Sequence, residues 1–263
     1  MFGDAEAYEH FMGRWSNRLA PLLVEFAGLP PQGSVLDAGS GTGALAFAVA
    51  RRNRRLHVLG IDPSKEYVAY ARRKNPFGGR VDFMEGDAQQ LRIPDSSFDS
   101  ALSLLVFNFI PDAKKALAEL CRVLKPGATL SAAVWDYGDG MRMLRTFWDA
   151  VVALDPVADR FDERHMPLCR SGELAALWRQ GRLEDVREQA LHIDLHFDSF
   201  ADYWDPFFLG QGPAGAYIRN LDSKHQQALR EELRRRLPSS RDNATLVLGA
   251  RAWSARGIVS HQR

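Results

Sequence analysis

Only two cysteines, Cys121 and Cys169, occur in 263 residues. Neither belongs to a CxxC pair or a Cys/His cluster, so no disulfide framework and no metal site is expected, and free thiols in a reducing compartment fit best. No run of about 18 apolar residues is present, so no membrane-spanning helix is expected. The opening Met1-Phe2-Gly3-Asp4-Ala5-Glu6 has neither a basic stretch nor an apolar core. No secretion signal is read there, and the cytoplasm is the expected location. Charge of one sign is missing as well: 34 Lys and Arg against 33 Asp and Glu leave +1. That gives no global pull on nucleic acid or an anionic membrane. Internal repeats and low-complexity stretches are absent. With 46% hydrophobic residues, the chain can bury the core of one large α/β domain or of a domain with a cap.

Glycine is concentrated where it counts, in Val35-Leu36-Asp37-Ala38-Gly39-Ser40-Gly41-Thr42-Gly43-Ala44. Ser34 to Ala38 read as a short strand, and Ala44 onward reads as a helix with Leu45, Ala48 and Val49 on one face. Glycines between them permit positive φ and close approach of backbone to ligand. The helix aims its unpaired N–H groups at the same spot. This is a nucleotide-type turn, but spacing alone does not choose the nucleotide. Gly39-x-Gly41-x-x-Ala44 fits a dinucleotide fingerprint, and Gly39-x-Gly41-x-Gly43 fits S-adenosylmethionine (SAM). Asp37 decides. A carboxylate at the mouth of the turn repels pyrophosphate in a low-dielectric cleft, whereas the ammonium and sulfonium of SAM are attracted.

Three further segments follow in order: Gly60-Ile61-Asp62, Gly86-Asp87-Ala88 and Arg122-Val123-Leu124-Lys125-Pro126-Gly127-Ala128. With the glycine turn they resemble the class I SAM-dependent methyltransferases over about residues 33 to 135. The resemblance implies an α/β fold: a doubly wound, Rossmann-like sheet of seven strands with the last antiparallel, and an α-helical cap built from inserts. It implies SAM as cofactor, held by Asp37, Gly39, Ser40, Gly41, Thr42, Gly43, Asp62, Pro63, Asp87, Ala88 and Leu104. Asp62 falls where a carboxylate meets a ribose diol; the alternative is an N-cap for the helix beginning near Ser64. Asp87 with Ala88 offers the acceptor/donor pattern of an adenine edge; the alternative is a turn-forming aspartate.

Residues 1–30 read as N-terminal lid helices, with Tyr8, Phe11, Met12, Trp15 and Leu19 as an apolar stripe that either packs on the sheet or covers the cofactor. Arg14 either pairs with the methionyl carboxylate of SAM or is solvated. Residues 31–135 form the cofactor-binding core, with strands at Leu56–Ile61, Val81–Glu85, Phe98–Val106 and Thr129–Trp135. Asp112–Leu124 read as a helix that Pro126-Gly127 stops. Residues 136–170 and 198–240 read as helical inserts. Residues 171–197 and 241–256 supply the remaining helix, capped by Ser171, and the strands Leu183–Phe197 and Thr245–Ala255. A loose tail is expected after Arg256.

The implied reaction is an in-line displacement in which an acceptor atom attacks the sulfonium methyl and S-adenosylhomocysteine leaves. Alignment at about 3–3.5 Å can supply most of the rate, so no catalytic side chain is obligatory. Asp136, Tyr137 and His165 are candidate bases by position alone. The loop after the fourth strand lacks the Asn/Asp-Pro-Pro-Tyr/Phe motif of amino-methylating enzymes. Aromatics crowd residues 8–15, 107–109, 135–148 and 203–208. They predict an enclosed apolar pocket for a small, partly hydrophobic acceptor. Neither nucleic acid nor membrane is expected as partner, and the chain is expected as monomer or homodimer. Two other readings stay open: a non-catalytic SAM-binding regulatory protein, and an NAD-dependent dehydrogenase with a similar turn.

Overall fold

The computed structural model describes residues 4–237 and 245–260. The chain opens with α1 (Ala5–Tyr8), a π-helical turn (Glu9–Gly13) and α2 (Arg14–Ala27). Strand and helix then alternate through β1 (Gly33–Ala38), α3 (Ala44–Arg52), β2 (Leu56–Asp62), α4 (Lys65–Lys74) and β3 (Val81–Glu85). β4 (Phe98–Leu104), α5 (Ala113–Val123), β5 (Leu124–Trp135) and α6 (Arg142–Leu154) follow. The remainder is α7 (Glu173–Gln180), β6 (Glu184–Phe197), α8 (Phe200–Trp204), α9 (Gly212–Arg219), α10 (Ser223–Arg236) and β7 (Leu246–Ile258).

The seven strands form one sheet in the order β3-β2-β1-β4-β5-β7-β6. β1 pairs in parallel with β2 and with β4, β2 with β3, and β4 with β5. Crossover helices cover both faces of such strands, which is why β1 is a short apolar run with Val35 and Leu36 fully buried. β7 is antiparallel to β5. Gly127 N–H donates to Val259 O, and Asp136 N–H to Arg251 O, each at 2.9 Å, so rising numbers on one strand meet falling numbers on the other. Strand order reverses direction at β1, with β2 and β3 to one side and β4 and β5 to the other. The loops diverge at that point, and in doubly wound sheets ligands bind there.

Several boundaries differ from the sequence reading, each for a local reason. β4 stops at Leu104, short of Val106, because Leu105 takes φ +62° and turns the chain into a 3-10 turn over Phe107–Phe109. β5 starts at Leu124, not Thr129, and takes in Pro126 and Gly127. Gly127 sits at φ +79°, and the β4–β5 register slips between Phe98 and Ser100, a bulge that accommodates the proline. Ser171 does not cap α7. Gly172 at φ +84° is the N-cap, while Ser171 Oγ and Gly172 N–H both donate to the Glu188 carboxylate at 2.8 and 2.7 Å. β7 continues to Ile258, so the tail expected after Arg256 is strand for two more residues. Residues 261–263 of that tail, the 240/241 insert boundary and Met1–Gly3 of the signal reading lie outside the described residues.

The chain divides into two compact units. One comprises Trp15–Val134, Pro167–Leu191 and Trp253–Arg263 and contains β1 to β4 with most of β5. The other comprises Met1–Arg14, Trp135–Met166 and His192–Ala252, and its interior is aromatic. There Phe147 stacks on Phe207 at 4.5 Å and 10°, and Phe11 and Tyr203 meet Phe207 edge-on at 5.2 and 5.5 Å. Tyr203 is wholly buried and its hydroxyl donates to Met143 O at 3.0 Å. Of the aromatics grouped in the sequence, Phe11, Tyr203 and Phe207 pack with Phe147 in the core of their own unit.

Candidate cofactor site

The polypeptide leaves β1 through Asp37 and Ala38 and folds immediately onto the end of β2. Gly39 N–H and Ser40 N–H both donate to Ile61 O at 2.8 Å, and Gly41 N–H donates to Asp62 Oδ2 at 2.9 Å. Gly43 N–H closes the turn on Ser40 O at 2.9 Å and, at φ +98°, starts α3 without a side-chain cap. The glycines are not equivalent. A Cβ on Gly39 would lie 2.5 Å from Val106, so that position is demanded by packing. A Cβ on Gly41, at φ +51°, would meet nothing within 4 Å. Open space at Gly41 is where backbone can approach a bound molecule. Gly60 on β2 is demanded by packing, since a Cβ there would lie 2.5 Å from the Phe83 ring and 2.8 Å from Ser40 Cβ. The sequence reading missed that role because a lone strand glycine carries no spacing signal of its own.

Asp37 is 1% exposed, and neither of its carboxyl oxygens makes a hydrogen bond. Burial pushes its pKa up to about 8, offset only in part by the Ala46 N–H and reinforced by the charge of Asp62. Ser40 Oγ, beside it in the turn, is also buried without a partner. A pair of unsatisfied polar side chains at a sheet switch point is costly unless something completes them. A pyrophosphate would add repulsion to that cost. A ligand bearing an ammonium and a sulfonium removes it, so the donor set fits SAM.

Other predicted residues surround the same turn. Asp62 is 8% exposed and spans it, accepting from Gly41 N–H through Oδ2 and from Ser64 N–H through Oδ1, each at 2.9 Å. Burial nonetheless raises its pKa against those two N–H groups. The cap of α4 is Ser64, whose Oγ accepts from Tyr67 N–H, so Asp62 is not that cap. Asp87 is exposed and accepts from Gln89 N–H at 2.8 Å, the turn geometry held open as its alternative. Ala88, Thr42 and Leu104 are buried, and Pro63 is exposed.

Residues 36–132 match the methyltransferase-domain family, which takes in the glycine turn, Asp62, Asp87 and the approach to β5. This part of the chain is similar to methyltransferase domains. Over 118 residues it is 40% identical to a demethylmenaquinone methyltransferase of Thermus thermophilus, covering 44% of this chain and 52% of that protein. It is also 35% identical over 124 residues to the 2-methyl-6-phytyl-1,4-hydroquinone methyltransferase of Synechocystis, covering 47% and 39%. The chain thus spans about half the length of the curated relatives it matches. In fold it resembles the YcgJ protein of Bacillus subtilis, with a TM-score of 0.60 at 20% identity, covering 93% of this chain and 99% of that one. A methyltransferase domain, not a dinucleotide-dependent dehydrogenase, is what the match over this turn supports.

The compact unit that holds this turn also carries an apolar cleft of about 360 Å³ beside the loop after β4, lined by Phe107, Ile110, Pro111, Leu168 and Leu177 with Asp112, Lys114 and Glu173 among its polar groups. The residues expected elsewhere in the chain have other commitments. Arg14 is half-buried; its Nη1 donates to Asp202 Oδ1 at 2.8 Å and it lies over the Phe197 ring. Asp136 is an ion-pair partner, accepting from Arg251 at 2.5 and 2.8 Å through Oδ2. Tyr137 is buried, and its carbonyl accepts from Arg145 at 3.2 Å. His165 is half-exposed and bonds Asp159 at 3.0 Å, a surface pair rather than a site residue. No cluster of metal ligands exists among the described residues, and no described helix is long and apolar enough to cross a membrane.

Proposed function

We propose that the protein transfers the methyl group of SAM to a small, partly hydrophobic acceptor. The observation that carries this reading is the buried, unbonded Asp37 carboxyl beside the open Gly41 face of the turn. When bound, SAM supplies a methyl group already activated by its sulfonium. The chain's own contribution is to bind and orient. Asp37 offers the cation its charge, and the first turn of α3 offers N–H donors. Asp62 keeps lone pairs for a ribose diol while it fixes Gly41, and Asp87 with Ala88 N–H presents the adenine-edge pattern. With Asp136 and His165 both paired, no general base is assigned, and rate enhancement rests on alignment and on exclusion of water.

The acceptor does not follow from the relatives alone, because their matches cover only about half of this chain. Two of them act by name on a menaquinone precursor and a phytyl hydroquinone, and the apolar cleft at the loop after β4 agrees with an acceptor of that character. Prenylated hydroquinones are therefore the first compounds to try. The test is incubation with methyl-labelled SAM and a panel of prenylated hydroquinones, fatty acids and small amines, beside tRNA, rRNA and total protein. Label in one of the small molecules is the expected result. Label confined to nucleic acid or protein overturns the reading.

A further inference from the structure

The incomplete surroundings of Asp37 have a consequence for how cofactor is taken up. Asp37 lies in mid-sheet, with Gly60 of β2 and Leu102 of β4 as its register partners. Neither brings a charge. From α3 the only group acting on it is the Ala46 N–H, and from β2 the only charge is the carboxylate of Asp62. On β4, the hydroxyl of Ser103 is spent on Ala38 O at 2.8 Å. Among the groups that act on Asp37 there is no lysine, arginine or histidine. An ionised carboxylate here would be a buried anion with another anion as its nearest charge.

We propose that Asp37 is a neutral carboxylic acid in the cofactor-free protein and releases its proton to solvent when a cationic cofactor binds, so that cofactor uptake is proton-coupled. The step is a simple ionisation: the O–H bond breaks, the electron pair stays on the carboxylate, and the proton leaves to buffer. The inference rests on the reading that this turn holds SAM. With its pKa pushed up to about 8 by burial, roughly nine in ten molecules hold the proton at pH 7. A cation placed within about 4–6 Å lowers a carboxyl pKa by about 1–3 units, and a lowering of about 3 units ionises it almost fully at pH 7. The sign follows. The binding-competent anion is scarce below the raised pKa, so affinity weakens as pH falls below about 8 and levels above it.

Isothermal titration calorimetry of the full chain with SAM, in buffers of different ionisation enthalpy, reads the proton count directly. The amino group of SAM exchanges its own protons, so Asp37→Asn, titrated alongside, supplies the baseline. Wild type is expected to release about one proton more than Asp37→Asn at pH 7. Its Kd should tighten about tenfold from pH 6 to pH 7 relative to the variant, then flatten above about pH 8.5. Equal proton counts and parallel pH profiles overturn the inference while leaving SAM binding in place. Failure of wild type to bind SAM at any pH overturns the cofactor-site reading, and this inference with it. Should Asp37→Asn not fold, infrared difference spectra of wild type decide. A protonated-carboxyl carbonyl band lost on binding is expected, and its absence from the free protein overturns the inference.

Discussion

Asp37 and Asp162 are both buried aspartates, one in each unit, and they are treated in opposite ways. Asp162 is completed by its own chain. Arg145 donates to its two oxygens at 2.9 and 2.5 Å, Arg164 Nε donates at 2.7 Å, and Arg164 N–H donates at 2.8 Å. Burial pulls its pKa upward, but the Arg145 bond, the backbone donor and the two guanidinium charges outweigh it and hold it below the usual carboxylate range. Asp37 has no guanidinium to offset its burial and is pushed up. A buried charge that the chain satisfies is architecture. One left incomplete on a rigid sheet, beside an open glycine, marks the place where something else must come.

That contrast can be broken from either side. The largest expected effect is on Arg145→Met, which strands Asp162 in the interior. Loss of one partner of a buried pair costs about 3–5 kcal/mol. Urea unfolding is the measurement, and a change below about 1 kcal/mol would show that Asp162 does not depend on its partner. Next comes the pH dependence of the cofactor-free protein. Asp37 has a folded pKa of about 8, against an ordinary value of 3.8 for an aspartate. Its contribution is therefore fully present below about pH 4 and is lost as pH rises through 8, at up to about 1.4 kcal/mol per pH unit. Asp62 and Glu163 are raised too, so the readout is the difference between wild type and Asp37→Asn at pH 5, 6, 7 and 8. The variant should gain on wild type as pH rises; superimposable profiles would contradict the raised pKa.

The smallest stability effects separate packing from binding within the turn. Gly39→Ala drives a Cβ into Val106 and is expected to cost about 1–3 kcal/mol. Gly41→Asn has space around it, and asparagine tolerates φ near +51°. It should stay folded, losing under about 1 kcal/mol, while its side chain fills the approach to the ligand and weakens SAM binding more than tenfold. Circular dichroism beside SAM titration gives both numbers. If Gly41→Asn binds SAM like wild type, the open face is not the cofactor's.

The alternation of elements and the glycine turn were legible because both are local. Apolar runs of five to seven residues between helices read directly as buried parallel strands, and Asp37 could be weighed against phosphate without coordinates. What escaped was set by distant partners. Arg14 meets Asp202 across 188 positions and Asp136 meets Arg251 across 115, and no pattern near either residue announces the match. The aromatics were visible as a group, but whether rings face one another or a ligand is a packing outcome. Asp62 looked like a choice between ribose and helix cap, yet it ties Gly41 to Ser64. Leu105 at φ +62° is the least foreseeable, since leucine carries no preference for that region.

The place of β7 between β5 and β6 also sets a schedule for synthesis. A growing chain delivers the five strands from β1 to β5 in an order in which each can find a neighbour already made. The outer edge of β5 must then wait for the last strand of the sheet, while β6 emerges first and competes for that edge. Closing so long a loop is slow relative to local pairing. During the wait, β5 presents unpaired backbone donors and acceptors to any nearby chain, the condition under which nascent sheets associate wrongly. Lys125 and Pro126, at the start of that strand, are residues of the kind that make an open edge a poor template.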